Sequence, residues 1–368
     1  MEPLKRLQLR GFKSIKSMDL EFHAMNVLIG ANGAGKSNLV SFFKLLNEMM
    51  GGRLQQFIGQ SGRAPSLLHL GAQVTRELEA DLEFQSEKGT NYYSMRLVPA
   101  QDSLLFTEER LSFHQPGYPI PASTSLGAGH WESKVREAAD QGDSKAKIFR
   151  HLLINCRVYH FHDTSPTARV RNFCYVGDNL PLMHDAGNLA AVLLRLQQEG
   201  TSRAYQRIVA TIRLVAPYFD DFVLRPEGPR NADVRLNWRQ RGSDQVFGPH
   251  QLSDGTLRAI CLVALLQSPE AELPNLIIVD EPELGLHPYA LNRLAELFKK
   301  TSRHTQVLAS TQSSAFLDNF EPEDVIVVDR EGAESMFERA SEEKLQSWLE
   351  EYSLGEVWEK NVMGGGPH

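Results

Sequence analysis

Residues 30–37 read Gly30-Ala31-Asn32-Gly33-Ala34-Gly35-Lys36-Ser37, and this octet decides the fold. It has the form GxxxxGK[ST]. Its glycines let the backbone wrap closely round an anion with successive N–H groups pointing inward, and a following helix turns its positive end toward that anion. Lys36 is placed to reach the β- and γ-phosphates of a nucleotide, and the Ser37 hydroxyl to bind Mg²⁺. The flanks supply the context the motif needs. Met25 to Ile29 is a short apolar run that reads as a buried strand. Downstream, Val40, Phe43, Leu46 and Met50 recur at helical spacing until Gly51-Gly52 ends the helix.

Two further motifs follow in a fixed order. Leu276-Ile-Ile-Val-Asp280-Glu281-Pro282 is an apolar strand ending in two acids, which places them at the carboxyl edge of a sheet. Asp280 is expected to hold Mg²⁺, and Glu281 to orient or deprotonate the attacking water. Before it, Leu252-Ser253-Asp254-Gly255-Thr256 opens a helix and resembles the ABC signature LSGGQ. Ser253 can cap that helix, while its hydroxyl and the Gly255 N–H are candidates for a phosphate. Phosphate loop, then signature, then acidic strand is the order of ABC-type ATPases.

The N-terminus reads as a β-meander, with strands around Leu7 to Phe12, Met18 to Phe22 and Met25 to Ile29. Strand-like segments run from Thr75 to Phe113. Pro116 to Gly129 reads as loop and Trp131 to Ile154 as mostly helical. Asn188 to Gln198 and Arg203 to Ala216 read as helices broken at Gly200, and strands return at Phe222 to Arg225 and Val234 to Trp238. From Leu252 onward strands and helices alternate to Asp329, and a helix over Glu342 to Tyr352 precedes the MGGGPH tail. The expected fold is α/β: a P-loop NTPase, an ABC-type ATPase head with a mixed, partly helical insert and no long coiled coil. The expected parts are 1–115 and 248–330 for the two halves of the core, 116–247 for the insert, and 331–368 for the C-terminal helix and tail.

Composition narrows the partners. The chain of 368 residues has a formal net charge of −7, so any polyanion would need a local basic patch. Arginines gather at 150, 157, 169 and 171, and again at 225, 230, 235, 239 and 241; a solvated face is the expected reading. Three cysteines without CxxC spacing argue against a disulfide framework or a zinc site and fit a reducing compartment. The N-terminus lacks the apolar block of a signal peptide. The most apolar stretch, Ala259 to Leu266, is far short of the ~20 residues that span a bilayer. The expectation is a cytoplasmic protein with no membrane segment.

Gly11-Phe-Lys-Ser-Ile15, GANGAGKSN from Gly30 to Asn38, QLSDGTLRAI from Gln251, VDEPELGLHP from Val279 and LGEVWEKNVMGG from Leu354 resemble the stand-alone ATPases of the SMC, RecF and OLD branch. The resemblance implies ATP and Mg²⁺, with ATP sandwiched in a homodimer between the phosphate loop of one protomer and the signature of the other. It implies a cradle of Asn32, Gly33, Ala34, Gly35, Lys36, Ser37 and Asn38, with Lys13 and Ser14 near the nucleotide. Glu283 to Leu286 match a loop that crosses the dimer interface. Three settings are in view for the work such a protein does. These are control of an effector subunit such as a nuclease in antiviral defence, a RecF-like role on DNA, and, less favoured, a transporter ATPase.

One departure bears on rate. Ala309-Ser-Thr-Gln312-Ser places Gln312 where ABC ATPases carry a switch histidine, so slow turnover is expected. A glutamine that senses Mg²⁺ is not assignable; Gln60 and Gln73 are poor candidates. In Tyr159-His160-Phe161-His162-Asp163, a strand would turn His160 and His162 to one side, and packing or an internal hydrogen bond is expected of them in the absence of a third metal ligand.

Overall fold

The computed structural model describes residues 2–199 and 203–366; the break expected at Gly200 and the last two residues of the MGGGPH tail lie outside the described residues. The chain forms two compact units, Met1–Val158 with Pro274–Ile278 and Thr305–His368, and Tyr159–Leu273 with Val279–His304. Residues 116–158, read from sequence as the start of the insert, count with the first unit.

The first unit contains a six-stranded antiparallel sheet in the order Ile15–Glu21, Leu4–Phe12, Leu78–Ser86, Gly89–Ala100, Ser103–His114, Ala122–Gly127. Its strands alternate as a half-buried sheet must: Leu78, Ala80, Leu82 and Phe84 are buried while Asp81 is exposed. A second sheet has the order Glu334–Arg339, Val325–Glu331, Met25–Ile29, Gln306–Thr311, Leu276–Asp280, Cys156–Tyr159; the last two strands give Leu276–Ile278 and Cys156–Val158 to this unit. Met25–Ile29 pairs in parallel with Gln306–Thr311 and with Val325–Glu331, and every residue of Met25–Ile29 and Gln306–Thr311 is buried. Burial on both faces is why Met25–Ile29 reads as a continuous apolar run.

Helix Lys36–Met50 joins the two layers. Its buried residues include Leu39, Val40, Phe42, Phe43, Leu45, Leu46, Met49 and Met50, more than one stripe can carry, so it is buried on most sides. Phe42 meets Phe12 edge-on at 5.7 Å and Phe43 meets Phe22 at 6.2 Å, tying the helix to the N-terminal meander. Burial of each such ring stabilises by roughly 1.5–3 kcal/mol.

The second unit carries helices Leu189–Gln198, Arg203–Val215, Asp254–Leu266 and Pro288–Thr301 and two small antiparallel sheets. The longest helix among the described residues is Lys36–Met50, of 15 residues, in keeping with a head without a long coiled coil. No helix of the described residues is long and apolar enough to cross a membrane. Cys156, Cys174 and Cys261 are free thiols.

Several element readings need correction. Within the expected loop 116–129, Ala122–Gly127 is an edge strand paired with Ser103–His114; its Ser/Thr-rich residues are mostly exposed on both faces, so no apolar alternation marks it. The strand expected at Phe222 to Arg225 is Phe219–Phe222, and the one expected at Val234 to Trp238 splits into Asp233–Val234 and Trp238–Gln240. Aromatic packing decides this, with Trp238 stacked on Phe247 at 5.0 Å and on Phe219 at 6.2 Å. The helix expected over Glu342 to Tyr352 stops earlier, as Glu342–Leu349, and a second helix, Leu354–Glu359, follows it.

Candidate nucleotide site

In the first unit the phosphate loop leaves the buried strand Met25–Ile29 and enters helix Lys36–Met50. The helix has Gly35 at its N-cap, no side-chain cap and no acid in its first turn. Its positive dipole end therefore favours an external anion. Asn32, Gly33 and Ser37 are exposed. Gly35 sits at φ +119°, and a Cβ there would lie 2.0 Å from Ser335 Oγ and 2.9 Å from Ser14 Oγ, so no other residue fits. Lys36 is buried; its Nζ donates to the carbonyls of Gly30 and, at 3.1 Å, of Ala31.

The turn at Lys13-Ser14 is packed onto this loop. Asn38 Nδ2 donates to Ser14 Oγ at 2.6 Å, and Ser14 Oγ lies 2.6 Å from Ser335 Oγ. Lys13, at φ +50°, donates from Nζ to Ser41 Oγ at 2.7 Å, and its ammonium is held below the usual lysine range by burial and by the neighbouring Lys44. A cation weakened in this way gains from a nearby anion. Gln312 follows Thr311, the strand residue that pairs with Ile29 just ahead of the loop, so Gln312 stands at the same sheet edge as Gly30.

The second unit carries the signature and the acidic turn. Ser253 is exposed and caps helix Asp254–Leu266, its Oγ accepting from Thr256 N at 3.2 Å. Arg171, buried, braces this segment: it donates to the carbonyls of Pro249, Leu252 (3.2 Å) and Thr164 (2.8 Å) and pairs with Asp254 at 2.7 Å. Hydrogen bonds from Thr164 and then Arg171 hold the Asp254 carboxyl below the usual carboxylate range. A Cβ on Gly255 would lie 2.1 Å from the Gly285 carbonyl oxygen, so this glycine lets the signature helix abut the loop that follows the acids.

Asp280 ends its strand, and Glu281 turns the chain at φ +44° immediately before Pro282. A left-handed backbone at a non-glycine residue costs about 1–3 kcal/mol and is found where structure is held for function. His162 and Arg258 do the holding. His162 Nε2 lies 2.9 Å from the Asp280 carbonyl oxygen, while Arg258 donates to the carbonyls of His162 (3.0 Å) and Leu284 (3.3 Å). The expected strand at His160 and His162 ends instead at Tyr159. The two rings are 5.9 Å apart, and the His160 backbone N–H donates to His184 O at 2.8 Å. Several arginines of the basic runs are paired with acids: Arg150 with Asp140, Arg169 with Asp185, Arg171 with Asp254 and Arg239 with Asp220.

Residues 2–91 match a family model described as a protein of unknown function, and residues 173–318 match one described as "AAA domain, putative AbiEii toxin, Type IV TA system". The OLD nuclease of Thermus scotoductus is 23% identical over 344 residues, covering 86% of this chain; the chain spans 60% of that protein's length. Among solved structures, an SMC head bound to the C-terminal winged-helix domain of ScpA aligns with TM-score 0.63 and 17% identity, over 93% of this chain and 99% of that one. The Smc head with an extended coiled coil bound to the C-terminal domain of ScpA, derived from Pyrococcus furiosus, aligns with TM-score 0.59 and 17% identity, over 95% and 99%. The fold is that of an SMC-type P-loop ATPase head, and the sequence is similar to that of an OLD nuclease.

In this chain the sequence motifs point to Lys36, Ser253 and Asp280 but not to the groups that hold them. Ser335, which donates to the Ala34 carbonyl, and Arg171 carry no motif of their own. His162 had a signal, the paired histidines after an apolar strand, whose meaning required the position of the Asp280 carbonyl.

Proposed function

We propose that this ATPase binds Mg-ATP on the loop Gly30–Ser37 and hydrolyses it slowly within a homodimer, and that closure of the dimer controls a partner macromolecule. The observation that carries the reading is the uncapped, acid-free N-terminus of helix Lys36–Met50 beside the buried Lys36 ammonium, which together form a receptor for polyphosphate. Asn32, Gly33, Ala34, Gly35 and Asn38 complete the cradle, and Lys13 and Ser14 stand beside it.

The oxygen donors Ser37 and Asp280 suit Mg²⁺, a hard cation held by one or two protein oxygens plus phosphate. When bound, the ion would offset charge on the β- and γ-oxygens. Glu281 is assigned as the base that takes a proton from water, and Gln312 as a hydrogen-bond donor at the γ-phosphate. Ser253, exposed at a helix N-terminus, and Gly255 are assigned to the partner protomer's nucleotide. For the partner macromolecule we favour an effector subunit of nuclease type in antiviral defence; of this, the name of the Thermus relative, an OLD nuclease, supports the nuclease type. Pairing of the arginine runs with acids weighs against the RecF-like alternative on DNA.

The test uses two dead variants. In a heterodimer of Lys36→Ala and Ser253→Arg chains, both substitutions fall in the same composite site. The other site keeps its lysine and its serine, and phosphate release should reappear on mixing. A cysteine pair at Ser253 and the phosphate loop should then cross-link between chains with ATP present. Cross-links confined within single chains would overturn the shared site.

A further inference from the structure

The C-terminal tail is built into the nucleotide loop. Helix Leu354–Glu359 starts with a capping box between Ser353 and Glu356, and it docks on the short helix Ser314–Leu317 that follows Gln312. The docking is close: Gly355 N donates to Asp318 Oδ1 at 2.7 Å, and a Cβ on Gly355 would lie 2.6 Å from the Ser314 carbonyl oxygen. The chain then turns back at Asn361, φ +55°, whose Oδ1 accepts from Gly366 N at 2.9 Å. This turn brings Gly365 under the phosphate loop. The Gly365 carbonyl accepts from Ala31 N at 3.0 Å and from Trp358 Nε1 at 2.9 Å. The Ala31 carbonyl in turn accepts from Lys36 Nζ at 3.1 Å.

Two donors, the buried Trp358 indole and the Ala31 N–H, converge on the Gly365 carbonyl, and the Gly30–Ala31 peptide held by that N–H gives its carbonyl to the Lys36 ammonium. Within that peptide the two bonds polarise one another. Gly365 sits at φ +62°, and a Cβ there would lie 2.8 Å from the Val328 carbonyl oxygen, so the contact leaves no room for a side chain. Nothing in nucleotide chemistry requires a polypeptide tail at this place. Its geometry serves to fix one residue of the loop and, through it, the phosphate-binding lysine.

We propose that Trp358 and Gly365 are positioning residues for nucleotide binding, and that residues 353–366 form a strap linking the segment after Gln312 to the phosphate loop. The inference rests on the Gly30–Ser37 loop binding ATP. It makes the tail a control point: whatever displaces Gly365 loosens Ala31 and weakens the grip on phosphate.

The experiment uses the full chain with a fluorescent ATP analogue, thermal melting, and hydrogen–deuterium exchange over the peptide containing Ala31. Trp358→Phe keeps an aromatic ring but removes the N–H donor, and should weaken nucleotide affinity about three- to tenfold, the range of one net hydrogen bond. Gly365→Ala should weaken it further, and both should speed exchange at Ala31. Leu104→Ala, at a fully buried position of strand Ser103–His114 and outside residues 353–366, should lower the melting temperature with affinity held within about twofold. Wild-type affinity and unchanged Ala31 exchange in Trp358→Phe and Gly365→Ala would overturn the strap. So would affinity losses that follow melting temperature equally in all three variants. Wild-type chain that binds no nucleotide would instead remove the reading on which the strap rests.

Discussion

The imidazole of His162 lies 2.9 Å from the backbone carbonyl oxygen of Asp280. A carbonyl only accepts, so Nε2 carries the proton in this bond. The bond fixes the last peptide of the acidic strand, next to the left-handed Glu281.

His162→Ala should therefore lower kcat for ATP hydrolysis about tenfold, the upper range for one net hydrogen bond, while nucleotide affinity stays within about twofold. His162→Gln, which can still donate, should recover part of the loss. Phosphate-release kinetics alongside equilibrium titration separate the two quantities. Equal losses in kcat and affinity, without recovery by glutamine, would show a general structural role.

Arg171 predicts a stability effect with a pH signature. Its side chain is only 6% exposed, and Arg171→Met strands the carbonyls of Pro249, Leu252 and Thr164, for a cost of about 2–4 kcal/mol in urea unfolding. Asp254 loses its ion-pair partner as well, while Thr164 remains. Its carboxyl is depressed in the folded state, so its contribution is present at neutral pH and is lost as pH falls through the carboxylate range. The gap between wild type and Arg171→Met should therefore narrow in acid. A gap that widens below about pH 4 would contradict the pairing.

Gln312 tests whether slow turnover follows from glutamine at the histidine position. A glutamine side chain can donate a hydrogen bond but cannot carry a proton through a reaction. Gln312→His should raise the ATPase rate and leave ATP affinity unchanged, as read by single-turnover kinetics. A fall of about tenfold or more would show that the glutamine itself is required.

How much of this was legible beforehand depends on what each residue answers to. The strand Met25–Ile29, the loop to Ser37 and the helix to Met50 could be read because the GxxxxGK[ST] pattern and full burial leave few residue choices there. Ser253 as a cap was equally plain, since Ser before a helix has a local cause. The edge strand Ala122–Gly127 was not, because pairing through backbone alone leaves no apolar trace. Ser335, Arg171 and Gly365 were hidden for another reason. Ser335 donates to Ala34 and Gly365 accepts from Ala31, each across most of the chain's length. Arg171 bonds carbonyls near Pro249. No local pattern reports such pairings. Gln306 is similar: a buried amide in an apolar strand, bonded to Leu4 on both its groups.

The central claim is that Lys36 and the opening of helix Lys36–Met50 grip the phosphates of ATP. Charge-assisted hydrogen bonds of this kind are worth about 1.5–3 kcal/mol each. The most direct measurement is an equilibrium titration of ATP, with Mg²⁺, against the wild type and Lys36→Ala. The account predicts affinity at least about tenfold weaker in the variant, measured at a temperature where both proteins are folded. Equal affinity in the two proteins would contradict it.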